Sequence, residues 1–132
     1  MAGVVPLSAD KTKVLLIQSV RRGGWVLPKG GWEKDETAQA AACREAWEEA
    51  GIICKVEKDL GKIADTRPPS QLTPNAPKAS YQFWECTVTE EKTQWPEVHK
   101  RARQWVSFAQ AAQALAPRPE LLEALKRSSM KR

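Results

Sequence analysis

Apolar positions gather in short runs toward the two ends of the chain and take a different rhythm in its middle. Residues 4–7 (VVPL) and 14–17 (VLLI) are continuous apolar stretches, separated by Ser8, Ala9, Asp10, Lys11 and Thr12, which have turn composition. They predict two neighbouring buried strands joined by a hairpin. Residues 25–28 (WVLP) add a short strand that Pro28 ends. Residues 52–65 alternate apolar and polar around Gly61, the pattern of one or two half-buried strands. Residues 81–88 (YQFWECTV) are the most strand-like, rich in aromatic and β-branched side chains. Arg101, Arg103 and Trp105 recur at period two, which predicts a strand with both arginines on one face. Residues 108–116 and 119–126 read as two closing helices broken by Pro117 and Pro119, the second with a core stripe of Leu121, Leu122 and Leu125. Residues 67–78, with their Pro, Asn and Ser, are too long for a tight turn and predict a loop.

The rhythm in the middle is helical. Residues 36–51 are dominated by Ala, Glu, Gln and Arg, strong helix formers with no Pro or internal Gly among them. Thr37 is placed to cap the start and Gly51 to stop the end. Strands before this helix, strands after it and helices at the end predict an α+β sandwich.

Charge changes the picture of that helix. At about 100° per residue, Glu45, Glu48 and Glu49 fall within one arc, with Arg44 as their only positive neighbour on the helix. They crowd its last turn, where the macrodipole is already negative and acids are disfavoured. A solvated face is the ordinary reading of such a pattern. The turn Pro28-Lys29-Gly30-Gly31 tips the balance, because it can bring backbone oxygens close to the acids, and hard divalent cations such as Mg²⁺ take oxygen ligands.

A length of 132 residues predicts one domain, 1–132, with a genuine core and no need of disulfide or metal staples. No apolar run approaches membrane-spanning length and no signal peptide opens the chain, so neither membrane nor secretion is expected. Three cysteines, Cys43, Cys54 and Cys86, form no CxxC pair and point to a reducing compartment, cytoplasmic with the nucleus also open. The lone His99 builds no metal site of its own. The formal net charge of +5 calls for an anionic partner. Helix-turn-helix, RRM and zinc-finger patterns are missing, so a specific nucleic-acid partner is not expected, and a monomer acting on a small molecule is.

Gly30, Glu36 and the run Arg44-Glu45-Ala46-x-Glu48-Glu49-x-Gly51-Ile52 resemble the box that marks the Nudix hydrolases, seven fixed positions over 23 residues. Ala46 departs from it, since the family carries a larger aliphatic residue there. The resemblance implies a Nudix-type α/β/α sandwich with a mixed central sheet, and Mg²⁺- or Mn²⁺-dependent hydrolysis of a diphosphate bond. Glu45 and Glu49 are then the metal ligands, with Glu48 beside them and the backbone carbonyl of Lys29 as a further donor. Glu48 is the base that takes a proton from water, and Arg44 holds the acids by ion pairing. Glu36 is structural or supports the ligands.

Residues 25–31, 65–69, 96–101 and 118–125 resemble more narrowly the fungal diphosphoinositol polyphosphate and diadenosine polyphosphate hydrolases. That branch implies a polyphosphorylated small-molecule substrate held by Ser19, Arg21, Arg22, Lys78, Arg101, Arg103 and Arg118. Lys29, Gly30 and Gly31, at the mouth of the acidic helix, are expected to bind the substrate with them. Members of the branch carry a basic residue just ahead of the position of Ala2 and Gly3; Met1 stands there here, which implies a cradle short of one cation or native residues ahead of Met1. Competing readings are a hydrolase of mRNA cap or other nucleoside diphosphate derivatives on the same fold, and a non-catalytic Nudix-fold binding module. A basic nucleic-acid-binding domain rests on net charge alone.

Overall fold

The computed structural model describes residues 1–21, 23–64 and 80–132. Its strands are β1 (Ala2–Leu7), β2 (Val14–Gln18), β3 (Trp25–Val26), β4 (Lys29–Gly30), β5 (Ile52–Ala64), β6 (Ser80–Glu91) and β7 (Arg103–Val106). Its helices are α1 (Ala38–Ala50), α2 (Phe108–Leu115) and α3 (Pro119–Arg127). The predicted site residues Arg22 and Lys78, and the loop expected over 67–78, lie outside the described residues.

The strands form one mixed sheet in the order β3-β2-β1-β6-β5, with β4 paired to β1 and β7 to β2. β1 lies at its centre, antiparallel to β2 through Leu7↔Val14 and parallel to β6 through Ala2↔Gln82 to Leu7↔Thr87. Every residue of β1 is buried, which a strand covered on both faces requires. Helix α1 packs across β1, β5 and β6; α2 and α3 pack on each other, α2 against β2 and β3 and α3 against β5. This is the α+β sandwich with a mixed sheet that the chain's pattern and resemblance lead one to expect.

Two local expectations need correction. The strand read over 25–28 is shorter: β3 ends at Val26, pairing with β2 through Ile17↔Val26, and beyond Pro28 a further strand, β4, crosses to pair with β1 through Gly3↔Lys29. Pro28 lies at the crossing because it has no N–H to give a ladder, and its carbonyl instead accepts from Val4 N at 3.1 Å. Arg101 and Arg103 do not share a strand face, since β7 begins at Arg103. Just ahead of it, the Gln18 side chain takes the Ala102 N–H at 2.8 Å, while Gln18 N still donates to Ala102 O at 3.1 Å. Between the two alternatives for 52–65, β5 is one strand to Ala64, bent by a bulge at Asp59/Gly61, where the Asp59 carboxylate accepts from Gly61 N at 2.7 Å.

Helix α1 ends where its sequence says it should. Thr37 Oγ1 accepts from Ala40 N at 3.1 Å, and Gly51 adopts the left-handed conformation at φ 66°. Its buried face is all alanine, Ala41, Ala42, Ala46 and Ala50, so the helix axis can lie close to the sheet. Ala46, the departure from the family box, is fully buried in that contact. A Cβ on Gly51 would stand 2.5 Å from Trp95 Cδ2 while also straining the backbone. Gly51→Ala is therefore expected to cost roughly 1–3 kcal/mol, read as a lower urea midpoint at unchanged m-value.

Candidate active site

The acidic face of α1 is organised by one guanidinium. Arg44 Nη1 donates to Glu45 Oε1 and Glu48 Oε2, each at 2.9 Å. Its Nε and Nη2 grip Glu36 at 2.8 and 2.9 Å, and Nη2 also reaches the Gly31 carbonyl at 3.1 Å. The hydrogen bond to Glu36 raises the Arg44 pKa above its ordinary value. In return Arg44, helped by the Glu33 N–H, pulls the Glu36 carboxyl down to about 2. The ion pairing expected of Arg44 is thus present for Glu45 and Glu48, and Glu36 is what orients Arg44.

Glu49 lies deeper. Burial pushes its carboxyl up to about 8, only partly offset by the Lys29 N–H, which donates to Oε1 at 3.1 Å, and by the charge of Arg101. Burial raises Glu45 as well. Two carboxylates brought together in a place that disfavours their charge are a donor set suited to a hard cation. Gly30 makes room for one of them, because a Cβ there would collide with the Glu45 carboxylate. Among the described residues no group of three or more His, Cys, Asp or Glu is placed to cage an ion. Mg²⁺ is such a cation, bound through one or two carboxylates with water and substrate phosphate completing its shell. Glu45, Glu49 and the Lys29 carbonyl would hold it, with Glu48 beside them.

Beside Glu49 opens a pocket of about 420 Å³ lined by Ser19, Arg21, Lys29, Arg101 and Arg118 among others. Five of the residues expected to meet the substrate therefore converge on one cavity. Arg101 is only 9% exposed, ion-paired to Glu97 at 2.9 Å, and donates to the Gln18 carbonyl at 3.2 Å. Arg118 is paired with Glu120 at 2.7 Å. Arg21 is exposed. Arg103 is not with them: its Nη1 donates to the Ala50 carbonyl at 2.8 Å and its Nη2 to Lys92 O at 2.7 Å, at the end of α1. Tyr81, Val26 and Leu27 also line the cavity and escaped the sequence reading, as did Glu97. The four-residue spacing of Glu97 and Arg101 was the one local signal for the last of these.

Residues 1–126 match the family model of the NUDIX domain. Among curated proteins, the chain is 39% identical over 108 residues to Nudix hydrolase 17, mitochondrial, of Arabidopsis thaliana, covering 80% of this chain and 56% of that protein. It is 32% identical over 111 residues to human diphosphoinositol polyphosphate phosphohydrolase 3-alpha, covering 82% of this chain and 63% of that protein. The chain thus spans little more than half the length of these curated relatives. Among solved structures, a NUDIX hydrolase from Nitrosomonas europaea superposes with a TM-score of 0.78 at 20% identity, over 96% of this chain and 84% of the other, a likeness of fold.

The raised Glu49 predicts a pH dependence whose sign is fixed. Its folded pKa of about 8 exceeds the ordinary carboxylate value of 4.5, so folding takes up a proton between the two. That contribution is complete below the lower value and is lost as pH rises through the higher one. In EDTA, the melting temperature should therefore fall more steeply between pH 5 and 8 for the wild type than for Glu49→Gln. Equal slopes for the two proteins would show that Glu49 is not held protonated.

Proposed function

The chain belongs to the Nudix family, and from that premise we propose that it is a divalent-metal-dependent hydrolase of diphosphate bonds in polyphosphorylated small molecules. Diphosphoinositol polyphosphates and dinucleoside polyphosphates such as diadenosine hexaphosphate are the substrates the site suits best. The observation that carries this reading is the meeting of Lys29, Arg21, Arg101 and Arg118 with the half-buried Glu49 in one cavity. A chain of phosphates needs cations to bind it and an acidic centre to cleave it, and here the two adjoin. The human relative's name, a diphosphoinositol polyphosphate phosphohydrolase, points the same way.

In the reaction, an oxygen–phosphorus bond forms from water and the bridging phosphorus–oxygen bond breaks, leaving two phosphate ends. The Arg101 and Arg118 guanidinia, each held by an acid, present fixed donors to the phosphate oxygens. Glu48, the most exposed of the three acids with 36% of its side chain accessible, accepts the proton of the attacking water. Arg44 holds Glu48 at the rim through its Nη1. Glu45, Glu49 and the Lys29 carbonyl would hold Mg²⁺ or Mn²⁺, whose charge would offset that of the phosphate oxygens.

A turnover panel of an inositol pyrophosphate, diadenosine hexaphosphate and a capped RNA, with and without Mg²⁺, tests the reading. Cleavage of none of them, or of the capped RNA alone, would refute it. Glu48→Gln should keep its fold and lose about 10²–10⁴-fold in kcat; retention of more than a tenth of wild-type kcat would assign the base elsewhere. Charge dominates this cavity, so inositol pyrophosphate should bind more tightly than the dinucleotide and weaken more steeply with salt. Arg21→Ala and Arg118→Ala should raise KM for inositol pyrophosphate by more than for diadenosine hexaphosphate, each lost contact costing roughly 1.5–3 kcal/mol. Equal changes for both substrates would remove the preference.

A further inference from the structure

The last turn of a helix leaves carbonyls without partners and carries the negative end of the dipole. Helix α1 adds Glu45, Glu48 and Glu49 to that end and has no basic residue in its own last turn. Yet each carbonyl from Trp47 to Gly51 accepts a hydrogen bond. Gly51 N donates to Trp47 O at 2.9 Å, Glu97 N to Glu48 O at 3.0 Å, and Lys92 N to Gly51 O at 2.8 Å. Trp95 Nε1 donates to Glu49 O at 3.2 Å, and Arg103 Nη1 to Ala50 O at 2.8 Å and Gly51 O at 3.3 Å. All but the first of these donors belong to residues 92–103.

The same segment carries Arg101 into the cavity. Glu97 links the two tasks: its N–H holds the Glu48 carbonyl while its carboxylate holds Arg101 at 2.9 Å. Arg103 fastens the segment to the helix, its guanidinium carbon 4.2 Å from the centre of the Trp95 ring and its Nη2 on the Lys92 carbonyl at 2.7 Å. Arginine suits that place, because its fork of N–H groups serves three carbonyls while its charge sits over the indole face. The Nε of Arg101 is buried without a hydrogen-bond partner among the described residues, so the segment holds this cation where solvation alone would not.

We infer that Arg103, together with Trp95, is a positioning residue: a clamp that sets the acids of α1 against the cavity cation Arg101, and not a ligand of the polyphosphate. The inference rests on the hydrolase reading above for its kinetic consequence, and on the hydrogen bonds alone for the clamp itself.

The test measures kcat and KM on diadenosine hexaphosphate with Mg²⁺, at low and high salt, for wild type, Arg103→Ala, Arg103→Lys and Trp95→Phe. Amide hydrogen exchange of Gly51 and Glu97 is followed without metal. Arg103→Ala should lower kcat at least tenfold while KM and its salt dependence stay within twofold, and both amides should exchange at least tenfold faster. Arg103→Lys should recover part of kcat, and Trp95→Phe should shift the same readouts less. Should Arg103→Ala fail to fold, Trp95→Phe, which leaves an aromatic ring beneath Arg103 and removes one donor, carries the same test. A raised KM with a flatter salt dependence would make Arg103 a substrate ligand and overturn the inference; so would an unchanged kcat in the folded variants. A wild type that cleaves no polyphosphate would refute the hydrolase reading, and the exchange rates would still decide the clamp.

Discussion

The structure around the site depends on one constraint, that three carboxylates must sit on one helical face at the end where the helix dipole opposes them. Arg44 meets part of it. Its guanidinium contacts Glu36, Glu45, Glu48 and the Gly31 carbonyl at once, tying the acidic face to the glycine turn before the helix. With a quarter of the Arg44 side chain exposed, solvent screens these pairs. Geometry matters more than energy here: a fork held on both sides has one orientation, and it gives Glu45 and Glu48 one orientation each.

The other part is met by small residues. Ala41, Ala42, Ala46 and Ala50 bring α1 close to β1, and Gly30 leaves the Glu45 carboxylate the space it occupies. A side chain at position 30 would push Glu45 aside. Packing and chemistry thus constrain the same positions. The box motif reads as a steric pattern as much as a charged one.

What the sequence made legible were the features encoded locally. Thr37 and Gly51 bound α1 to within a residue, because a cap and a left-handed stop act on their own neighbours. The β1–β2 hairpin was legible from two apolar runs and a turn between them. Arg103 was misread for the opposite reason. Period two placed it beside Arg101, but its partners, Ala50, Gly51 and Lys92, lie far away in the sequence and leave no periodic trace. Tyr81 and Leu27 were read as strand residues, and their place in the cavity wall comes from segments far apart in the chain meeting there, which leaves no local trace.

The arginines also show why a net charge of +5 is a poor measure of what a substrate meets. Arg44 and Arg103 commit their donors to the protein, and Arg101 and Arg118 each sit against an acid, Glu97 or Glu120. The field in the cavity is therefore weaker than a count of its cations implies. Those acids, however, hold the guanidinia still, so that an arriving polyphosphate would meet donors already aimed and lose little entropy in ordering them. Such a cavity would discriminate by the spacing of phosphate groups as well as by their number, since a rigid donor rewards an oxygen only where the oxygen falls.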